Sequence, residues 1–220
     1  MIRTRETYKT YYNEFYLSGD FHHYPDRVNA AYIGALLRCF GIPSGSRVLD
    51  VGCGTGVQLD FFSRFGMLPV GLELSIEGLQ AARRRSRDVL LVNGDGFLLP
   101  FSDGIFRAAF SFASVLNYSD QTAMFAMLRE TLRVVAPGGW MLLITMSDYS
   151  GREKGGWRQR TDEELRAIAF SVPAASRKII RTIPRLSVYW PAAAFHPLFS
   201  ALLRIAFGCR RTIILAFQKQ

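Results

Sequence analysis

Short apolar runs alternate with segments of helical periodicity along most of the chain. Val48, Leu49 and Val51 open the series with aliphatic residues suited to a strand covered on both faces. Comparable runs follow at 68–72, 89–92, 106–112 and 140–145, and later at 177–183 and 212–217. Helical spacing lies between them, from about Val57 and over 122–135. Thr161-Asp162-Glu163-Glu164 is a capping box that opens a further helix through Phe170. Upstream, Asp26 can cap a helix from Arg27 to about Phe40, with Val28, Ala31, Tyr32, Ala35 and Leu36 on one stripe. The alternation predicts an α/β fold built on a parallel, doubly wound sheet with helices on both faces. Such sheets bind ligands beyond the carboxyl ends of their strands, where Gly52, Glu73, Asp95 and Asn117 would converge.

Residues 48–56 read Val-Leu-Asp-Val-Gly-Cys-Gly-Thr-Gly, so Gly52, Gly54 and Gly56 let the backbone turn sharply and approach a ligand. The helix behind them points free N–H groups and a positive dipole end at the same place. A dinucleotide site would need Gly-x-Gly-x-x-Gly, and a phosphate loop would end in Gly-Lys-Ser/Thr; neither is present. The stretch Asp50-Val51-Gly52-Cys53-Gly54-Thr55-Gly56 resembles the first motif of the class I S-adenosylmethionine-dependent methyltransferases, in particular their small-molecule "type 11"-like members.

Its companions stand in the order the resemblance implies. The run Leu68–Leu72 ends at Glu73, with Leu74 beside it, and one carboxylate there would accept both ribose hydroxyls. Val89–Val92 leads into Asn93-Gly94-Asp95-Gly96-Phe97. By the same resemblance Asp95 would accept from the adenine amino group, and the backbone around Gly96 and Phe97 would meet the ring edge. Phe106–Phe112, which contains Ser111, runs into Ala113–Tyr118 with Asn117, where the family places the methionine end and the reacting methyl. Last comes Val135-Ala136-Pro137-Gly138-Gly139, a helix stop followed by the strand Trp140–Thr145. Singly, each piece reads as a tight turn or a solvated cap. Together over 46–147 they imply a cofactor site of Asp50, Gly52, Cys53, Gly54, Gly56, Glu73, Leu74, Asp95, Gly96, Phe97, Ser111 and Asn117. The resemblance also implies a Rossmann-like sheet of seven strands, mostly parallel, with the last strand antiparallel. The cofactor would be S-adenosylmethionine, the product S-adenosylhomocysteine. No carboxylate cluster stands out, so metal independence is expected.

With 220 residues and 49% hydrophobic content, one domain with a proper core is expected. Residues 1–45 would be an N-terminal helical cap or lid, 46–147 the cofactor-binding core and 148–220 a C-terminal substrate half. The cap is aromatic: Tyr8, Tyr11, Tyr12, Phe15 and Tyr16, then Phe21-His22-His23-Tyr24. Aromatic faces attract sulfonium cations, and the family often folds such a segment over the cofactor. A staple that merely docks the segment is the equal alternative. Ser147–Arg160 reads as a glycine- and charge-rich loop. Leu186–Leu203 carries no formal charge over eighteen residues. Pro191 and Pro197 interrupt it and the next strand must rejoin the sheet, so a transmembrane span is not expected. The apolar insert 186–207 reads as a substrate lid, a dimer contact or a membrane contact.

The net charge of +9 gathers at Arg83-Arg84-Arg85 with Arg87, and at 177–185 and 204–211, the last two flanking the insert. Such a face suits an anionic membrane surface or a substrate with a lipid tail and phosphate. Basic patches also serve RNA, but no appended binding module is visible and the Asn-Pro-Pro-Tyr signature of many nucleic-acid amino-group methyltransferases is missing. Cys39, Cys53 and Cys209 lack metal spacing and suggest a reducing, cytoplasmic setting, and the first twenty residues lack the apolar stretch of a signal peptide. The expected activity is methyl transfer to a small-molecule or lipid-like acceptor, at oxygen or carbon. Methylation of RNA or protein, and a non-catalytic methyltransferase-like partner subunit, are the alternatives. His22, His23 and Asp148 are candidate bases, but no residue is singled out as catalytic, and acceptor and oligomeric state stay open.

Overall fold

The structure, a computed structural model, describes residues 5–18, 26–86, 88–146, 153–154, 157–182 and 212–220. In chain order it runs α1 (Arg5–Ser18), α2 (Asp26–Cys39), β1 (Arg47–Val51), α3 (Val57–Arg64), β2 (Leu68–Glu73), α4 (Ile76–Arg85), β3 (Leu90–Asn93) and β4 (Phe106–Phe112). A 3-10 turn, Val115–Asn117, precedes α5 (Gln121–Val134) and β5 (Val135–Met146). Then come β6 (Glu153–Lys154), β7 (Trp157–Arg158), α6 (Asp162–Ser171), β8 (Ser176–Thr182) and β9 (Thr212–Gln218).

The described strands form a seven-stranded sheet in the order β3-β2-β1-β4-β5-β9-β8. The first five are parallel, Leu49 lying between Val70 and Ala109, whereas β9 is antiparallel to both β5 and β8. The expected fold class is therefore what the chain adopts. Alternate side chains of each strand feed two cores, one on each face. Val48, Phe110, Leu142 and Ile214 pack with α2 and α3, while Leu49, Ala109, Leu143 and Leu215 pack with α5 and α6. Because the central strands are covered on both faces, they read as continuous apolar runs.

Two local expectations need correcting. Pro137-Gly138-Gly139 does not separate helix from strand, since β5 begins at Val135 directly after α5. Phe106 pairs with Val135 and Ala108 with Trp140, so residues 136–139 bulge out of the ladder, and Arg107 Nη1 donates to Gly138 O at 3.3 Å. Residues 147–160 are not loop throughout, because β6 and β7 pair as a short hairpin. The insert 186–207, the candidate bases His22, His23 and Asp148, and Arg87 lie outside the described residues. Among the described residues, no helix is long and apolar enough to cross a membrane.

Candidate active site

A cavity of about 690 Å³ opens at the carboxyl ends of the parallel strands, where the strand order reverses between β1 and β4. Its floor is the glycine turn after β1. Gly52 and Gly54 take φ of 76° and 52°, which favours glycine, and a Cβ on either would collide with Ser114 or Tyr16 respectively. The N–H groups of Gly52 and Cys53 both donate to Leu72 O, at 2.8 and 3.0 Å, and tie the turn to β2.

Glu73 closes β2 and is buried in this corner. Its Oε2 accepts from Gly54 N and its Oε1 from Ser75 N, both at 2.9 Å. Burial raises its pKa, and the Ser75, Gly54 and Leu74 backbone groups oppose that rise. Each oxygen retains lone-pair capacity for a further donor. Asp95 sits after β3 with Oδ1 accepting from Phe97 N at 3.0 Å. Beneath the turn lies Asp50, 1% exposed, with neither carboxylate oxygen partnered among the described residues. Burial, and then the Glu73 charge, push its pKa up to about 8.

Helix α1 roofs the cavity and is fastened at two places. Ser75 Oγ donates to Asn13 Oδ1 at 2.6 Å while accepting from Gly78 N, so one hydroxyl caps α4 and holds α1. Tyr8 shares a 2.7 Å hydrogen bond with Ser119 Oγ, and its ring stacks on Tyr118 at 4.0 Å. Tyr16 lies over Gly54 and Gly78, and burial, then Glu73, raise its pKa. The aromatic segment is thus both a staple and a wall of the cavity. At the opposite wall Ala113 holds φ of 51°, rare for a residue with a side chain, with its N–H on Ile144 O at 2.8 Å.

Comparison with known proteins bears on this geometry. Residues 48–139 match the family described as "Methyltransferase domain". A demethylmenaquinone methyltransferase of a Parafrankia species is 30% identical over 188 residues, covering 73% of this chain and 70% of that protein. The chain belongs to the class I S-adenosylmethionine-dependent methyltransferases. A demethylmenaquinone methyltransferase of Corynebacterium kroppenstedtii is 42% identical over 106 residues, which is 48% of this methyltransferase but only 43% of that protein's length. The chain spans less than half of the curated relatives it matches first. Among solved structures, the Streptomyces coelicolor geranyl diphosphate C-methyltransferase aligns over 98% of this chain and 97% of its own, with a TM-score of 0.64 at 20% identity, a likeness of fold.

Of the residues expected to hold the cofactor, Gly52, Cys53, Gly54, Glu73, Leu74, Asp95, Gly96 and Phe97 all line the cavity. The other four do not. Asp50 lies under it, and Gly56 is the N-cap of α3, where a Cβ would meet Ala82. Ser111 Oγ accepts from Val115 N at 3.0 Å. Asn117 Nδ2 donates to Arg158 O at 2.9 Å, while its Oδ1 accepts from Thr145 Oγ1 at 2.8 Å. Sequence reasoning missed Tyr32, Thr145 and Thr212, which also line the cavity. Thr145 and Thr212 sit where a parallel strand ends and its antiparallel neighbour begins, and that position was the available signal.

Proposed function

We propose that this methyltransferase binds S-adenosylmethionine in the cavity and passes its methyl group to a small, lipid-like acceptor at oxygen or carbon. The observation that carries the reading is Glu73, pinned by the Gly54 and Ser75 N–H groups at the mouth of the glycine turn. Its remaining lone pairs suit the two ribose hydroxyls. Asp95 would take the adenine amino group, Phe97 would border the ring, and the Gly52–Gly54 backbone would admit the methionine portion. The Asp50 carboxyl, desolvated below the turn, suits a positively charged ligand, whose binding would draw off its proton. When bound, the cofactor supplies a methyl group already activated by the sulfonium. The protein's part is then to orient the acceptor and exclude water, which Tyr8, Tyr118 and the α1 roof are placed to do.

The relatives named for demethylmenaquinone support an acceptor that joins a ring to a lipid tail. The arginine-rich composition supports delivery of such a molecule from an anionic membrane surface. Calorimetric titration with S-adenosylhomocysteine tests the cofactor site. Glu73→Ala should weaken binding roughly tenfold to a hundredfold, the scale of hydrogen bonds to a charged group. Unchanged affinity in a folded variant refutes the ribose assignment. No binding by the folded parent protein points instead to a partner subunit without catalysis.

A further inference from the structure

Thr145, near the end of β5, lines the cavity, and its neighbours fix how its hydroxyl can act. The fixing starts at β7. The Arg158 carbonyl oxygen can only accept, so the Asn117 atom 2.9 Å from it must be the amide nitrogen, Nδ2. The amide is thereby oriented, and its Oδ1 faces Thr145 Oγ1 at 2.8 Å. Oδ1 also only accepts, so the single proton of the Thr145 hydroxyl is committed to it. Thr145 and Asn117 are each 1% exposed, so bulk water does not compete for that bond. To any other neighbour, Thr145 Oγ1 presents lone pairs alone. Whatever meets it from the cavity must bring the proton.

Sheet order says which ligand that is. On the cofactor reading, adenine lies by Asp95 after β3, ribose by Glu73 at the end of β2, and methionine by the glycine turn after β1. In the order β3-β2-β1-β4-β5 these three places stand together on one side of β4, and Thr145 stands on the other.

We infer that Thr145 is a specificity-determining residue, an obligate hydrogen-bond acceptor held so by Asn117, which takes a hydrogen bond from an O–H or N–H group of the molecule to be methylated. This rests on the cofactor reading of the same cavity and adds the residue that selects and orients the second substrate. A ketone, ether or carboxylate oxygen at that place would set lone pair against lone pair and leave both unsatisfied. A buried group built to receive a donor discriminates sharply against the analogue that lacks one. Thr145 moves no proton in this role; it fixes where the donor group, and with it the reacting atom, sits. Asn117 acts only through Thr145 and is a positioning residue.

The test titrates the full chain with S-adenosylhomocysteine, then the loaded protein with two probes of similar size. One is 1-naphthol, which can donate, and the other 1-tetralone, whose ketone can only accept. The parent protein should bind 1-naphthol roughly tenfold more tightly. Thr145→Val keeps the shape and removes the oxygen; it should erase that preference and leave S-adenosylhomocysteine affinity unchanged. Asn117→Leu releases the Thr145 proton, so the folded variant should gain 1-tetralone binding, which a bond that merely ties the chain together would not produce. Should Asn117→Leu fail to fold, Thr145→Val decides alone. Equal binding of the two probes by the parent, no binding of 1-naphthol, or a preference that survives Thr145→Val overturns the inference. So does a fall in S-adenosylhomocysteine affinity in Thr145→Val, since Thr145 would then serve the cofactor. Unchanged 1-tetralone affinity in folded Asn117→Leu overturns the role given to Asn117. If S-adenosylhomocysteine gives no heat with the parent, the cofactor reading fails on its own, and the probe pair titrated into the unloaded protein still reads Thr145.

Discussion

At the scale of single residues, Asp50 makes the most demanding statement. Its carboxyl is buried and unpartnered among the described residues, with a pKa of about 8 against about 3.9 in an unfolded chain. Between those values the folded protein keeps a proton that the unfolded chain releases. The resulting stability is therefore complete below about pH 4 and is lost as pH rises through about 8. Glu73, raised by its own burial, adds in the same direction. The ligand-free protein should lose stability with a slope of up to about 1.4 kcal/mol per pH unit from this site. Asp50→Asn should flatten that slope in urea unfolding measured from pH 5 to 8.5, and an unflattened slope would assign the titration to other groups. The same residues show what a sequence discloses about a site. That Glu73 and Asp95 line the cavity was legible because a strand end and a glycine-flanked turn leave few places for a short acidic side chain. That Ser111 and Asn117 bond to the protein was not, since a polar side chain at a strand end can turn toward ligand or protein. Here Ser111 satisfies Val115 N and Asn117 joins Arg158 to Thr145.

Among the elements, the segment from β7 into α6 braces the Tyr118 side of the cavity from behind. Arg160 is 2% exposed; its Nε donates to Leu116 O at 3.1 Å and its Nη2 to Tyr118 O. Glu164 completes the capping box of α6 and pairs with Arg158, with the Arg160 guanidinium 3.8 Å away. Through Tyr118 this brace reaches Tyr8 and so α1. Arg160→Met would strand two carbonyl groups in the interior and should cost roughly 2–4 kcal/mol. Amide exchange of residues 5–18 should speed up while β1 and β4 stay protected, and Arg160→Lys should recover part of the loss. Uniform loss of protection would instead make Arg160 a general core residue. None of this was legible in sequence, because the guanidinium serves carbonyls more than forty residues away. The strands were legible because aliphatic runs between two helical layers leave little alternative. The bulge at 136–139 escaped, since Pro-Gly-Gly reads locally as a stop and only pairing with β4 shows that the strand resumes beyond it.

Over the whole molecule, positive charge is in excess. The chain carries +9, while the charged groups among the described residues lining the cavity, Glu73 and Asp95, are negative. Arg83, Arg84 and Arg85 crowd the last turn of α4, where cations also complement the helix dipole. At the sheet's edge, Lys178 of β8 lies 5.3 Å over the Trp140 ring and 5.8 Å over Phe40. An exterior rich in arginine would hold a lipid-borne acceptor by the anionic surroundings it sits in. Contact of this kind depends on long-range attraction and must weaken as the Debye length contracts from about 10 Å at 0.1 M salt to about 3 Å at 1 M. The full chain should therefore sediment with phosphatidylglycerol vesicles at low salt, release from them as salt rises, and ignore phosphatidylcholine vesicles throughout. Binding to both lipids alike, insensitive to salt, would shift the contact from the arginines to apolar surface. No binding to either would leave the basic exterior as a solvated one and the acceptor as a molecule met in solution.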